Sequence, residues 1–193
     1  LFAQEKNIST EKVPYDKKEE ILFDGKRYKK YNHYLTIGPS FFNSSLRKVS
    51  QQGIGIDYHF NIKREYFQAG IAISGNKVLE NNQTQLRLGY GYRKETGKYN
   101  LAFFGGPTIF TGVYGVQDTS GLYRPEFYQG IGAYLSAQLA TKLLYDIGFG
   151  AELFSEINYK QGVIGIKLFV FFSGAYRGLK KNFNPHVRSE NKK

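Results

Sequence analysis

From residue 34 to residue 173, apolar and polar side chains alternate with a period of two, the mark of strands with one apolar and one polar face. In the clearest stretch, Ile54, Ile56, Tyr58, Phe60 and Ile62 share one face, and Gly53, Gly55, Asp57, His59 and Asn61 the other. The division returns with Leu86, Leu88, Tyr90 and Tyr92 against Gln85, Arg87, Gly89, Gly91 and Arg93. It returns again with Tyr145, Ile147, Phe149, Ala151 and Leu153 against Asp146, Gly148, Gly150 and Glu152. In the last segment Ile164, Ile166, Leu168, Val170 and Phe172 oppose Gly165, Lys167, Phe169 and Phe171. The pattern predicts eight strands, near 34–43, 49–62, 65–75, 84–94, 98–113, 124–139, 143–156 and 161–173. Short turns are expected at Lys63–Arg64, Glu95–Thr96–Gly97 and Ala140–Thr141–Lys142, with longer loops at 76–83 and 114–123.

An even number of alternating strands fits an all-β, closed, antiparallel up-and-down barrel, but alternation alone does not say which face meets water. Three features favour lipid outside. The polar faces carry Gly-x-Gly pairs (Gly53/Gly55, Gly89/Gly91, Gly130/Gly132, Gly148/Gly150), which a solvated face does not need. A narrow eight-stranded lumen needs such gaps to hold large side chains, here Tyr66, Arg87, Arg93, Tyr134 and Lys167. The polar-face charges also balance, Asp57, Asp146 and Glu152 against Arg87, Arg93 and Lys167, so an enclosed interior could neutralise itself. Finally, Tyr31, Tyr34, Tyr58, Phe60, Tyr90, Tyr92, Tyr99 and Tyr145 gather near strand ends, where they could form interfacial girdles. Glycines at bulges and ordinary exposed charges on a soluble sheet are the competing readings.

Composition agrees with this picture. The 193 residues amount to one domain and include 16 Tyr, 16 Phe and 22 Gly, a balance that favours strands over helices. The absence of cysteine excludes disulfides, thiolate metal sites and a cysteine nucleophile. No apolar run is long enough for a membrane-spanning helix. The chain has no Met, and the opening Leu1-Phe2-Ala3-Gln4 is similar to a signal-peptide end cleaved after Ala3, so residues 1–31 are expected to be a signal remnant and polar leader. A net charge of +11 raises the possibility of a nucleic-acid binder. Much of it, however, sits in a basic tail at 174–193, where Arg177, Lys180, Lys181, Arg188, Lys192 and Lys193 face a single acid, Glu190. Arg87 and Arg93 alternate with Leu88 and Tyr90 and form no exposed basic face, so no nucleic-acid partner is expected.

Strand number, turn asymmetry and alternation over 32–173 together resemble the small outer-membrane β-barrels of Gram-negative bacteria, the OmpX-like and OmpA-like class. The resemblance implies an outer-membrane location with both termini in the periplasm. It also implies contact with outer-membrane lipid and lipopolysaccharide, and insertion by the barrel-assembly machinery. Gly165, Leu168, Val170 and Phe172 look like that machinery's C-terminal recognition signal, although here some 20 residues follow it. The Ala-Gln junction, the tyrosine and lysine richness and the missing cysteine look like exported proteins of Bacteroidota.

The search for chemistry is short. His33, His59 and His186 are the only histidines, and none has a neighbour spaced for a zinc site or a catalytic pair. His59 beside Asp57 is expected to be a hydrogen-bonded lumen residue. Asp146 and Glu152, six residues apart on one strand, stand about 20 Å apart by strand rise, too far for paired acid–base work. Each Gly-x-Gly lies inside a strand, not at the start of a phosphate-binding helix.

The expected protein is therefore non-enzymatic, without catalytic residue, metal or cofactor. Its lumen network comprises Asp57, His59, Arg87, Arg93, Asp146, Glu152 and Lys167. Its lipid-facing wall includes Ile54, Ile56, Leu86, Leu88, Ile147, Phe149, Ile164, Ile166 and Leu168, and Arg177, Lys180 and Lys181 contact a periplasmic partner. The expected role is that of an accessory subunit in a larger secretion, assembly or uptake complex. A lipid-modifying barrel enzyme and a soluble lipocalin-like ligand carrier are the alternatives.

Overall fold

The computed structural model describes residues 20–45, 47–76, 81–117 and 123–179. Two short strands open the described chain, β1 (Glu20–Phe23) and β2 (Lys26–Lys29). Eight long ones follow: β3 (Tyr34–Ser44), β4 (Arg47–Ile62), β5 (Glu65–Asn76), β6 (Asn81–Glu95), β7 (Tyr99–Gln117), β8 (Tyr123–Leu144), β9 (Ile147–Asn158) and β10 (Gly162–Ser173). A last short strand, β11 (Tyr176–Leu179), completes the set. Strands β3 to β10 form one closed antiparallel barrel in sequence order, sealed where β10 meets β3 with Lys167 opposite Ser40 and Ser173 opposite Tyr34. Closure leaves the sheet no open edge along the shared height, the condition for backbone at membrane depth.

Burial along the strands answers the question that alternation left open. Asp57, Glu152 and Lys167 are at most 1% exposed, whereas Leu88, Leu135, Leu153 and Ile164 are 60–69% exposed. In water that outer surface would carry a penalty of about 25 cal/mol per Å² of apolar area; hydrocarbon removes it. The fold is that of a transmembrane barrel.

Aromatic side chains ring the wall at the end where the chain enters and leaves. Tyr58 stacks on Phe60 (6.0 Å between centroids), Phe60 on Phe67 (5.5 Å), and Phe67 meets Tyr90 edge-on (5.6 Å). Tyr92 and Tyr99 extend the exposed row. Three expected girdle residues are elsewhere: Tyr34 and Tyr145 are fully buried, and Tyr31 packs on buried Tyr66.

The turn expected at Ala140–Thr141–Lys142 is strand. β8 runs on to Leu144 and reverses at Tyr145–Asp146, because the alternation of Leu139, Thr141 and Leu143 against Ala140 and Lys142 continues without a break. Likewise β6 holds Glu95, and the two longer loops shrink because β5, β6, β7 and β8 run into them.

The larger correction concerns residues 20–29 and 176–179, expected as parts of a polar leader and a basic tail. β1, β2 and β11 form a three-stranded sheet at the barrel's end, with β2 in the middle. Asp24–Gly25 is the two-residue hairpin turn that joins β1 to β2, with both φ positive (50° and 69°). The sheet buries Tyr28 against Tyr145 (stacked, 4.0 Å) and Ala175, with Ile21 and Phe23 beside them. Asp146 fastens it, accepting hydrogen bonds from Ser173 Oγ (2.6 Å) and Ala175 N–H (2.9 Å). Removing the buried ring in Tyr28→Ala should cost this cap about 3 kcal/mol. The expected result is rapid tryptic cleavage after Arg27 and Lys29, where the parent resists, while the barrel keeps its folded migration on an unheated gel.

Candidate functional site

The lumen gathers the buried charge, which falls in three layers. Nearest the capped end, Arg93 and Lys142 share the Glu95 carboxylate, with Arg93 Nη2 3.1 Å from it. Arg93 also donates to Asn100 Oδ1 (2.5 Å) and to the Asn32 carbonyl (3.1 Å) and side chain (3.0 Å). Its guanidinium lies 4.3 Å from the Tyr34 ring centre, and Lys142 lies 3.5 Å from that of Tyr145. In the middle layer Lys167 bridges Asp57 and Glu152, the latter at 2.5 Å. Gln68 donates to Asp57 (2.9 Å), and Tyr134 donates to Gln68 (2.9 Å). In the far layer Arg87 pairs with Glu156 at 2.5 Å, donates to Gln85 (3.0 Å) and stacks over Phe154 (4.9 Å). Ser44, Gln161 and Gln83 close that end with a neutral chain of hydrogen bonds.

These buried groups come to four cations (Arg87, Arg93, Lys142, Lys167) and four carboxylates (Asp57, Glu95, Glu152, Glu156) among the described residues. A buried charge without a partner costs several kcal/mol, so the equal totals, with every charge in contact with an opposite one, are what make the filling tolerable. Close packing needs the glycines. A Cβ at Gly89 would overlap the Tyr134 hydroxyl, and one at Gly70 would overlap the Asp57 carboxylate. Each missing side chain is the space in which a neighbour's polar end lies.

Of the seven expected lumen residues, Asp57, His59, Arg87, Arg93, Glu152 and Lys167 are together inside the barrel. Asp146 is not; it holds the cap. The lumen also takes in Glu95 and Lys142, which the sequence suggests are turn residues, and Glu156; all three continue the inward parity of their strands. His59 is held differently from the expectation. Neither ring nitrogen has a hydrogen-bond partner; the ring lies parallel to Tyr34 (4.1 Å) and against Phe104 (4.9 Å). His33 is exposed and bonded to the Tyr58 hydroxyl (2.9 Å). Outside the span, burial and the Glu95 carboxylate push the Tyr145 phenol well above its usual range, so it stays neutral.

Ile54, Ile56, Leu86, Leu88, Ile147, Phe149, Ile164, Ile166 and Leu168 are all exposed on the outer wall. Gly165, Leu168, Val170 and Phe172 lie on β10, with the last three pointing outward. Arg177 is exposed on β11; Lys180, Lys181 and His186 are outside the described residues.

The barrel does not end level. The β8–β9 ladder stops at Gly132 opposite Asn158, and the β6–β7 ladder at Asn82 opposite Val113. Beyond these points β7 and β8 pair only with each other, up to Gln117 opposite Tyr123. On the side away from β7, no strand among the described residues pairs with β8 from 123 to 131; there the Gln129 carbonyl accepts a hydrogen bond from the Tyr159 hydroxyl (3.1 Å). Phe127 and Ile131 on this projecting hairpin are 84% and 73% exposed.

No family model and no curated protein matches the chain. Solved structures do. Neisserial surface protein A aligns with a TM-score of 0.56 and 11% identity over 72% of this chain and 96% of its own. Ail, the attachment invasion locus protein of Yersinia pestis, aligns at 0.53 and 11% over 75% and 97%. Both share the eight-stranded barrel fold with this chain.

Proposed function

We propose that the protein is a non-enzymatic outer-membrane barrel that serves as an accessory subunit of a larger envelope complex. The observation that carries this reading is the contrast between a lumen spent on internal ion pairs and a hairpin that projects beyond the β8–β9 ladder and exposes Phe127. A filled, neutral lumen is a scaffold, whereas an open strand edge with an exposed aromatic is a place for another chain to add. Pro125 on that hairpin removes one backbone donor, a common guard against indiscriminate edge pairing.

We take the orientation from the connections at the capped end. Two- and three-residue turns (63–64, 96–98, 145–146) lie at the capped end, as at the periplasmic side of such barrels, so both termini face the periplasm and the hairpin faces outward toward lipopolysaccharide. Gly165, Leu168, Val170 and Phe172 then serve the barrel-assembly machinery, and Arg177 on the cap offers a periplasmic contact.

A photo-crosslinking amino acid at position 127, used in intact cells, is the test. The expected result is a covalent adduct with one outer-membrane protein that also co-purifies with the parent, and none from the same probe at Phe149. Lipid-only adducts at both positions would remove the accessory role.

A further inference from the structure

Along β8 the backbone N–H and carbonyl groups of even-numbered residues point toward β7, and those of odd-numbered residues point away from it. Two bonds fix this parity. Lys142 N–H donates to the Lys98 carbonyl on the β7 side, and the Gln129 carbonyl accepts from Tyr159, in the β9–β10 turn. The β7–β8 register runs without a shift from Tyr123 to Thr141, so the parity holds over the whole stretch.

The side of β8 turned away from β7 is guarded at two places. Pro125 offers a carbonyl there but no N–H. Four residues on, the Gln129 carbonyl is taken by the Tyr159 hydroxyl (3.1 Å). Between them, Phe127 alone keeps both its N–H and its carbonyl without a partner among the described residues. Tyr159 is seated for this contact: its ring lies against buried Phe110 (5.9 Å between centroids) and over Gly130, where a Cβ would overlap it. The ring is nevertheless 65% exposed and one hydrogen bond joins it to β8, so it can swing away while the barrel stays closed.

We infer, taking the accessory role as given, that Tyr159 is a gate on the β8 edge and that the protein partner adds there as one extended, antiparallel segment opposite Phe127. Antiparallel pairing lets a single partner residue exchange both bonds with Phe127; a parallel strand needs two residues to do so. An apolar residue at that position covers the Phe127 ring, which is 84% exposed. While the gate is closed, the partner residue opposite Gln129 has no acceptor for its N–H. Proline suits that place, two residues before the one opposite Phe127. Once Tyr159 swings out, Gln129 pairs fully and the edge accepts any residue there.

A photo-crosslinking amino acid at position 131, on the same outward face, tests the gate in intact cells. Tyr159→Phe keeps the ring and removes the hydroxyl, and should raise the yield of the protein adduct about fivefold. Phe127→Pro removes an N–H that points away from β7 and spares the β7 ladder, so the adduct should disappear from a barrel that keeps its folded gel migration. An unchanged yield in Tyr159→Phe overturns the gate, and an adduct that survives Phe127→Pro overturns strand addition; either result leaves the accessory role standing. No protein adduct in the parent removes that role, and the gate with it.

Discussion

Replacing Lys167 by methionine should destabilise the barrel by about 3–5 kcal/mol, the range for breaking a buried ion pair from one side. Lys167 is 1% exposed and is the one cation between Asp57 and Glu152, so its loss leaves two carboxylates facing each other in an enclosed interior. Gln68 donates to Asp57, but among the described residues no hydrogen-bond donor replaces the ammonium at Glu152. Urea unfolding in lipid vesicles, followed by the shift between folded and unfolded gel mobility, reads the cost. Adding Asp57→Asn and Glu152→Gln to Lys167→Met should recover most of it, because an uncharged triad has nothing left to neutralise. If the triple variant is no more stable than the single one, the loss comes from packing and not from charge.

A second large effect is expected at the seam. Gly38 lies on the inward face of β3 where the first barrel strand meets the last, and a Cβ there would run into the Leu168 carbonyl and the Phe169 Cα. These are backbone atoms of β10, so no side chain can swing aside. Gly38→Val should hold β3 and β10 apart and prevent closure, giving a protein that refolds into detergent or vesicles without the compact, heat-modifiable form. Gly97→Ala is the control: it sits in a turn, where a Cβ would meet only the side chain of Phe23, and it should fold as the parent does. Overpacking usually costs 1–3 kcal/mol; the Gly38 change exceeds this because it acts on the one strand pair that closes the ring.

Several features of the barrel were legible as a pattern. Ile54, Ile56, Leu86, Leu88 and Ile164 all face outward as their parity requires, and Asp57, Arg87 and Lys167 face inward. Sequence and structure part where a local signal competes with the strand repeat. Thr141–Lys142 resembles a turn, which hides Lys142 as a lumen cation, and a strand started at 143 puts Asp146 on the inward face although the chain reverses there. The polar run before residue 32 resembles a tail, although its Asp24–Gly25 pair between Ile21-Leu22-Phe23 and Tyr28 is the sequence of a tight hairpin.

The amino-acid sequence by itself determined the eight strands of the barrel, their two faces and the need for a neutral interior, because side-chain direction in a strand is a property of the backbone repeat alone. Only the tertiary structure decided which charge meets which. Lys167 and Asp57 are 110 residues apart, and Lys142 and Glu95 are 47 apart. Those pairings depend on strand register and on how the ring closes, and so do the stacking of Tyr28 on Tyr145 and the edge of β8 that extends past its neighbour. Register is set by the contacts of all eight strands at once, and no short stretch of the chain contains it.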